Sequence, residues 1–269
     1  LGMAFDADHN LLVADAHRGL LSISPSGNVS ILTDSVDGSP ITFADDVDIA
    51  ADGRVYFSDA STKFGARAHG GTYAASLLDI MEHGGHGWVL VYDPVDQSTV
   101  LLLDGLNFAN GIAVDADSRY LLIAETGHYR IKKYWLSGPN RGTVDIVIDN
   151  LPGFPDNIVR GRNGRFWIGL VAPRDRLLDS MSRHPWLRKL VQRLPAALHP
   201  AALPFGHVFT MDNNGNNINI NTLSNTTNMS NEDIFKFKSE YENLFSPIIE
   251  ATYNISSDEN DMLNVITKQ

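Results

Sequence analysis

Short apolar runs separated by polar turns fill the first two hundred or so residues, and their period is that of strands. Residues 2–5, 11–14, 20–23 and 29–32 are each mostly aliphatic, and His17-Arg18-Gly19 and Pro25-Ser26-Gly27-Asn28 break the runs. That spacing predicts four strands joined by tight turns. The pattern returns at residues 112–114, 120–124, 131–135 and 144–148. No helical period separates these runs, which favours an all-β radial or closed architecture over βαβ units.

Each predicted sheet opens on a related motif. The four versions are Leu1-Gly2-Met3-Ala4-Phe5-Asp6, Asp45-Asp46-Val47-Asp48-Ile49, Asn110-Gly111-Ile112-Ala113-Val114-Asp115 and Asp156-Asn157-Ile158-Val159. Aligned at Gly2, Asp46, Gly111 and Asn157, they recur at steps of roughly 45, 65 and 45 residues, the range of propeller blades. The reading is a β-propeller of four-stranded antiparallel blades, four of them visible. In such a fold the first strands gather around one axis, so Asp45, Asp46, Asn110, Asp156 and Asn157 are expected to meet in space.

Two stretches interrupt the pattern. Residues 63–87, between the second and third strands of the second blade, hold His69-Gly70-Gly71 and Glu82-His83-Gly84-Gly85-His86-Gly87. An insertion there falls on one rim and makes a natural lid. Residues 174–203 read as helical and basic-amphipathic, suited to covering a pocket, touching a membrane surface or packing on the blade. Residues 207–211 follow as a strand, with residues 218–223 as its partner across an Asn-Gly turn.

Composition narrows the function. The 269 residues carry a net charge of −11, with 43% hydrophobic and 20% charged residues. No Lys/Arg stripe is present to neutralise phosphates, so nucleic acid is not an expected partner. The chain has no cysteine, which excludes disulfides, thiolate zinc sites and cysteine nucleophiles. Composition breaks near Asp212, where Asn213-Asn214-Gly215-Asn216-Asn217 begins an Asn-rich tail. A boundary is expected there, giving a propeller over 1–212 and a different segment over 213–269, with a helix near 231–246.

Motifs beyond the blade pattern carry a resemblance. Tyr56-Phe57-Ser58-Asp59-Ala60-Ser61-Thr62-Lys63-Phe64, Asp104-Gly105-Leu106-Asn107-Phe108-Ala109-Asn110-Gly111, Arg130-Ile131-Lys132-Lys133-Tyr134-Trp135-Leu136 and Gly153-Phe154-Pro155-Asp156-Asn157-Ile158 resemble strictosidine synthase-like proteins, a group that includes adipocyte plasma membrane-associated protein. The resemblance covers about residues 1–212. It implies a six-bladed propeller related to the gluconolactonase and paraoxonase groups of calcium-dependent hydrolases. It also implies a chain matching the family from its second blade into its fifth. The C-terminal glutamate of true strictosidine synthases then has no counterpart, and alkaloid condensation is not expected.

By motif, the resemblance implies metal ligation by Asn110 and Asp156, with Asn157 adjoining. Calcium takes several oxygen ligands, and amide and carboxylate oxygens converging on an axis supply that chemistry. The expected reaction is hydrolysis of a small-molecule ester or lactone, with Ca2+ polarising the carbonyl and Asp156 passing a proton. Asp45, Asp46, His69 and His83 are expected to line the pocket, and His86 is a candidate base because imidazole titrates near neutrality. The alternatives are a non-catalytic binding platform or an inactive truncated or fused derivative, in which Asn110 and Asp156 cap strand starts.

Overall fold

The computed structural model describes residues 1–161, 164–182, 184–193, 206–212 and 217–223. The pairing runs as the period-2 pattern dictates. The first sheet is β1 (Met3–Phe5), β2 (Leu11–Asp15), β3 (Gly19–Ile23) and β4 (Val29–Thr33), each antiparallel to the next. A small two-stranded ribbon, β5 (Ser35–Val36) and β6 (Ser39–Pro40), follows. The second sheet holds β7 (Ala44–Ile49), β8 (Val55–Asp59), β9 (Gly87–Asp93) and β10 (Ser98–Leu106). The third holds β11 (Ala109–Val114), β12 (Tyr120–Glu125), β13 (Arg130–Trp135) and β14 (Val144–Ile148). The fourth holds β15 (Gly153–Arg160), β16 (Phe166–Pro173), β17 (Gly206–Met211) and β18 (Asn217–Leu223). The arrangement is a four-blade β-propeller.

Side chains alternating across the sheets make the core between blades. On β12, Leu121 and Ile123 join a cluster with Leu12, Val47, Phe57 and Ile112, while Tyr120, Leu122 and Ala124 face a second cluster with Phe154, Phe166 and Ile168. Every residue of β12 is buried, as expected of a strand covered on both faces. Adjacent blades also meet backbone to backbone at their first strands. A Cβ on Gly111 would lie 2.3 Å from the Asp156 carbonyl oxygen and 2.5 Å from the Ile158 nitrogen, so only glycine lets β11 and β15 approach this closely.

The insertions are built differently from a plain loop. Residues 63–87, which sequence reading treats as a Gly-rich loop, hold helix α1 (Thr72–Glu82). Its flanking glycines hid it, because the helix lies between Gly70-Gly71 and Gly84-Gly85 with no side-chain cap at its start. The 174–203 stretch contains α2 (Arg176–Ser180) and α3 (Pro185–Gln192). Leu178, Met181, Leu187 and Val191 pack into the second core cluster, while Trp186 and Leu190 stand out to solvent.

β18 runs past the composition break at Asp212 and completes the fourth blade, with Phe209 opposite Ile220 and Val208 opposite Asn221. The alternation Ile218-Asn219-Ile220-Asn221 suits a strand whatever its asparagine content. By compactness the chain divides into Leu1–Ser224 and Asn225–Gln269. The second unit, with the helix expected near 231–246, lies outside the described residues.

Candidate functional site at the propeller axis

In an antiparallel blade the second strand returns to the end where the first began. The connection from second to third strand therefore shares that end with the start of the first strand. Helix α1 joins β8 to β9, a 3-10 turn (Thr126–His128) joins β12 to β13, and α2 and α3 lie between β16 and β17. These connections crown the same end as Asp45, Asn110 and Asp156.

Asn110 and Asp156 meet across two blades, and Asp45, on a third, lies within electrostatic reach of Asp156. Asn110 Nδ2 donates to Asp156 Oδ1 at 2.5 Å. Burial raises the Asp45 pKa well above the ordinary carboxylate value, and the charges of Asp156 and Asp46 raise it further. Burial also raises Asp156, against the Asn110 hydrogen bond.

Asp46 stands beside this group but is engaged elsewhere. Its Oδ1 accepts the Val47 N–H at 2.9 Å and its Oδ2 accepts the Ile112 N–H at 2.9 Å. Asp48 repeats the device one step along, its Oδ2 accepting the Val114 N–H at 2.8 Å. Both carboxylates thus tie the second blade to the third. Ser58 adds another tie, accepting from Asp46 N and donating to Asn110 O at 2.7 Å. Sequence reading placed Asp46 in the pocket by its position in the motif, and no sequence signal showed that backbone amides claim its oxygens. Asp46, Asp48, Ile112 and Asn157, with Gly2 and Arg160, do line a cleft of about 310 Å³ bordered by the first strands of all four blades. Asn157 is exposed on that cleft, next to the half-buried Asp156.

Each lid histidine is engaged by groups of the lid or of the neighbouring blade. His69 Nδ1 is 3.0 Å from Gly65 O and its ring packs on Phe64. His86 Nε2 is 3.4 Å from Glu82 Oε1, and its ring also meets Phe64. His83 closes α1 in the left-handed conformation (φ 57°). Its Nδ1 is 2.7 Å from Asn107 Nδ2, and its ring meets His128 edge to face at 4.9 Å. Burial, with Arg188 and His128 nearby, lowers its pKa to about 4, so it is neutral at physiological pH.

His128, which the sequence did not single out, has its Nδ1 2.8 Å from the buried Glu125 carboxylate. Arg130 and Lys132 also pair with Glu125, at 2.5 Å and 2.9 Å. Together with the Asn107 N–H, which donates to Glu125 at 3.0 Å, they hold the carboxylate ionised against its burial. Glu125 sits opposite Ala109 across the ladder, one residue from Asn110. This polar cluster therefore flanks the axial group.

Among the described residues, no three His, Asp or Glu side chains group to hold a metal ion. The oxygen-only set of Asp45, Asn110 and Asp156 still suits a hard cation, because such an ion would offset the burial that raises the pKa of both carboxylates. Asn110 would turn its amide to present oxygen in place of nitrogen.

Comparison with known proteins follows the same lines. Residues 45–139 match the strictosidine synthase family model. Strictosidine synthase-like 13 of Arabidopsis thaliana is 37% identical over 208 residues, covering 77% of this chain and 50% of the relative. Adipocyte plasma membrane-associated protein of Salmo salar is 38% identical over 203 residues, covering 72% of this chain and 47% of the relative. The chain thus spans about half the length of the curated relatives it matches. Among solved structures, a Xanthomonas campestris gluconolactonase aligns with TM-score 0.57 at 18% identity, over 83% of this chain and 62% of the other. Regucalcin of Agrobacterium tumefaciens, described as a calcium-binding protein, aligns at 0.53 and 15%, over 81% and 58%. At these identities the likeness is one of fold.

Proposed function

We propose, from the premise that this chain carries a strictosidine synthase domain on a propeller of the gluconolactonase kind, that its axial site hydrolyses a small ester or lactone with calcium bound. The observation that supports this reading is the Asn110–Asp156 hydrogen bond between the third and fourth blades, with the buried Asp45 carboxylate of the second blade within electrostatic reach of Asp156. Asp45, Asn110 and Asp156 would hold the ion by oxygen. Bound there, calcium would supply charge to polarise a carbonyl and steady the oxygen that becomes negative. Asp156 would be ionised beside the cation and placed to take a proton from an attacking water. Helix α1 and the turn around His128 lie at that end of the propeller, and His83 beside them is neutral.

A second reading draws on the Asn110–Asp156 hydrogen bond itself. The two side chains satisfy each other without an ion, which suits a structural pin in a non-catalytic binding platform. Thermal unfolding with calcium and with chelator, combined with an ester and lactone screen, separates the two. Catalysis predicts a melting temperature that rises with calcium, and turnover that Asp156→Asn abolishes while the fold remains. Equal melting in both conditions with no turnover supports the platform.

A further inference from the structure

The insertions of the second and fourth blades belong to separate sheets, yet their helices share a core. Ile80 and Met81 of α1 pack against the cluster that contains Leu178 and Met181 of the fourth-blade insertion, with Leu187 and Val191 of α3 at its edge. Helices α1 and α3 also pack together. The third blade lies between the two insertions, and its own connection at this end is only the turn Thr126–His128. His83, which closes α1, reaches that blade, with Nδ1 2.7 Å from Asn107 Nδ2 and its ring against His128.

One side chain joins the insertions. Arg188 of α3 is 3% exposed, and it donates from Nη1 to Ile80 O at 2.9 Å and from Nη2 to Leu178 O at 2.6 Å. Both carbonyls lie in the last turn of their helices, α1 and α2, where no amide of the helix remains to serve them. Ser182 N–H, four residues beyond Leu178, donates to Asp179 O instead. The negative ends of two helices thus take the place of a carboxylate. Among the described residues Arg188 forms no ion pair, and Asp179, whose charge reaches it, is paired with Arg174 at 2.9 Å. The Arg188 Nε is buried and makes no hydrogen bond among the described residues, so the two carbonyl bonds hold the guanidinium. A buried cation is costly once its partners are lost. Lifting either helix away strands Arg188 with one partner, and that cost ties each helix to the other. We infer that the two insertions form a single lid, latched by Arg188, whose helices α1, α2 and α3 open together. Movement at the end of the propeller that carries Asp45, Asn110 and Asp156 is then one cooperative event, whether or not calcium binds there.

Native-state hydrogen exchange of the full chain, read by mass spectrometry in increasing sub-denaturing urea, tests the coupling. Peptides over Thr72–Glu82 and Pro185–Gln192 are expected to open with one free energy and one urea dependence, below those of β12. Separate free energies for the two helices, or exchange of either only together with β12, overturn the inference. Arg188→Met keeps an unbranched apolar stem and removes both donors. Exchange is expected to quicken roughly tenfold or more in both Thr72–Glu82 and Arg176–Ser180, with β12 unchanged. Acceleration confined to residues 176–192, or spread equally through the sheets, overturns the latch. Should that variant not fold, Ser61→Ala, which loosens α1 from its own blade, decides. It is expected to quicken exchange in Pro185–Gln192 as well, and an effect limited to Thr72–Glu82 overturns the single lid.

Discussion

At the residue scale, a few atoms decide how closely the blades approach. Gly111→Ala puts a methyl group into the backbone of β15. The expected loss is about 1–3 kcal/mol of stability by overpacking, read as a lower denaturant midpoint. The buried carboxylates give stability a pH dependence with two limbs. Burial outweighs the backbone donors at Asp46 and Asp59 and raises each pKa to about 7. The folded state therefore binds their protons more tightly than the unfolded chain does. Their contribution is complete below the unfolded value of about 4 and is lost as pH climbs through 7. Glu125 runs the other way: its lowered pKa contributes stability above its ordinary value, lost as acid protonates it. The melting temperature is expected to fall as pH rises from about 4 to about 7, and to fall also as pH drops below about 4. Asp59→Asn should flatten the upper limb by roughly 2–4 °C, measured by calorimetry across that range.

At the element scale, β12 and α1 behave oppositely. β12 feeds both core clusters, so Leu122→Ala is expected to cost about 2–5 kcal/mol and to destabilise the third and fourth blades together, measured by urea unfolding. Helix α1 is held by few buried ties. Ser61 Oγ donates to Asp79 Oδ2 at 2.5 Å, with both residues fully buried. Arg188 donates to Ile80 O at 2.9 Å from α3. Ser61→Ala leaves Asp79, already short of a partner at Oδ1, without that donor. The expected outcome is faster amide exchange through Thr72–Glu82 with little change in the sheets. The strands of the first and third blades were legible in the sequence because their apolar positions alternate and turn residues end them. Helix α1 was not, because Tyr73 and Leu77 are exposed while Asp79 is buried, reversing the polarity on which helix recognition depends.

At the scale of the whole molecule, the repeated first-strand motif puts Asp45, Asn110 and Asp156 near the starts of the first strands of successive blades. Repetition could not say which oxygens would be free. Asp45 and Asp46 are neighbours of like chemistry, yet Asp46 spends both oxygens on backbone amides of its own and the next blade, while Asp45 faces Asp156. Only packing against β11 makes that distinction.

By itself the sequence determined the blade period, the all-β class and the rim positions of the insertions. All of these are local or repetitive, written in alternation, turn residues and spacing. Tertiary structure decided the helix within the lid, the pairing of Glu125 with His128, Arg130 and Lys132, and the completion of the fourth blade by an Asn-rich strand. Each depends on which surfaces meet across long separations in the chain, and burial, not residue type, then sets whether a carboxylate is a latch, a proton holder or an ion pair.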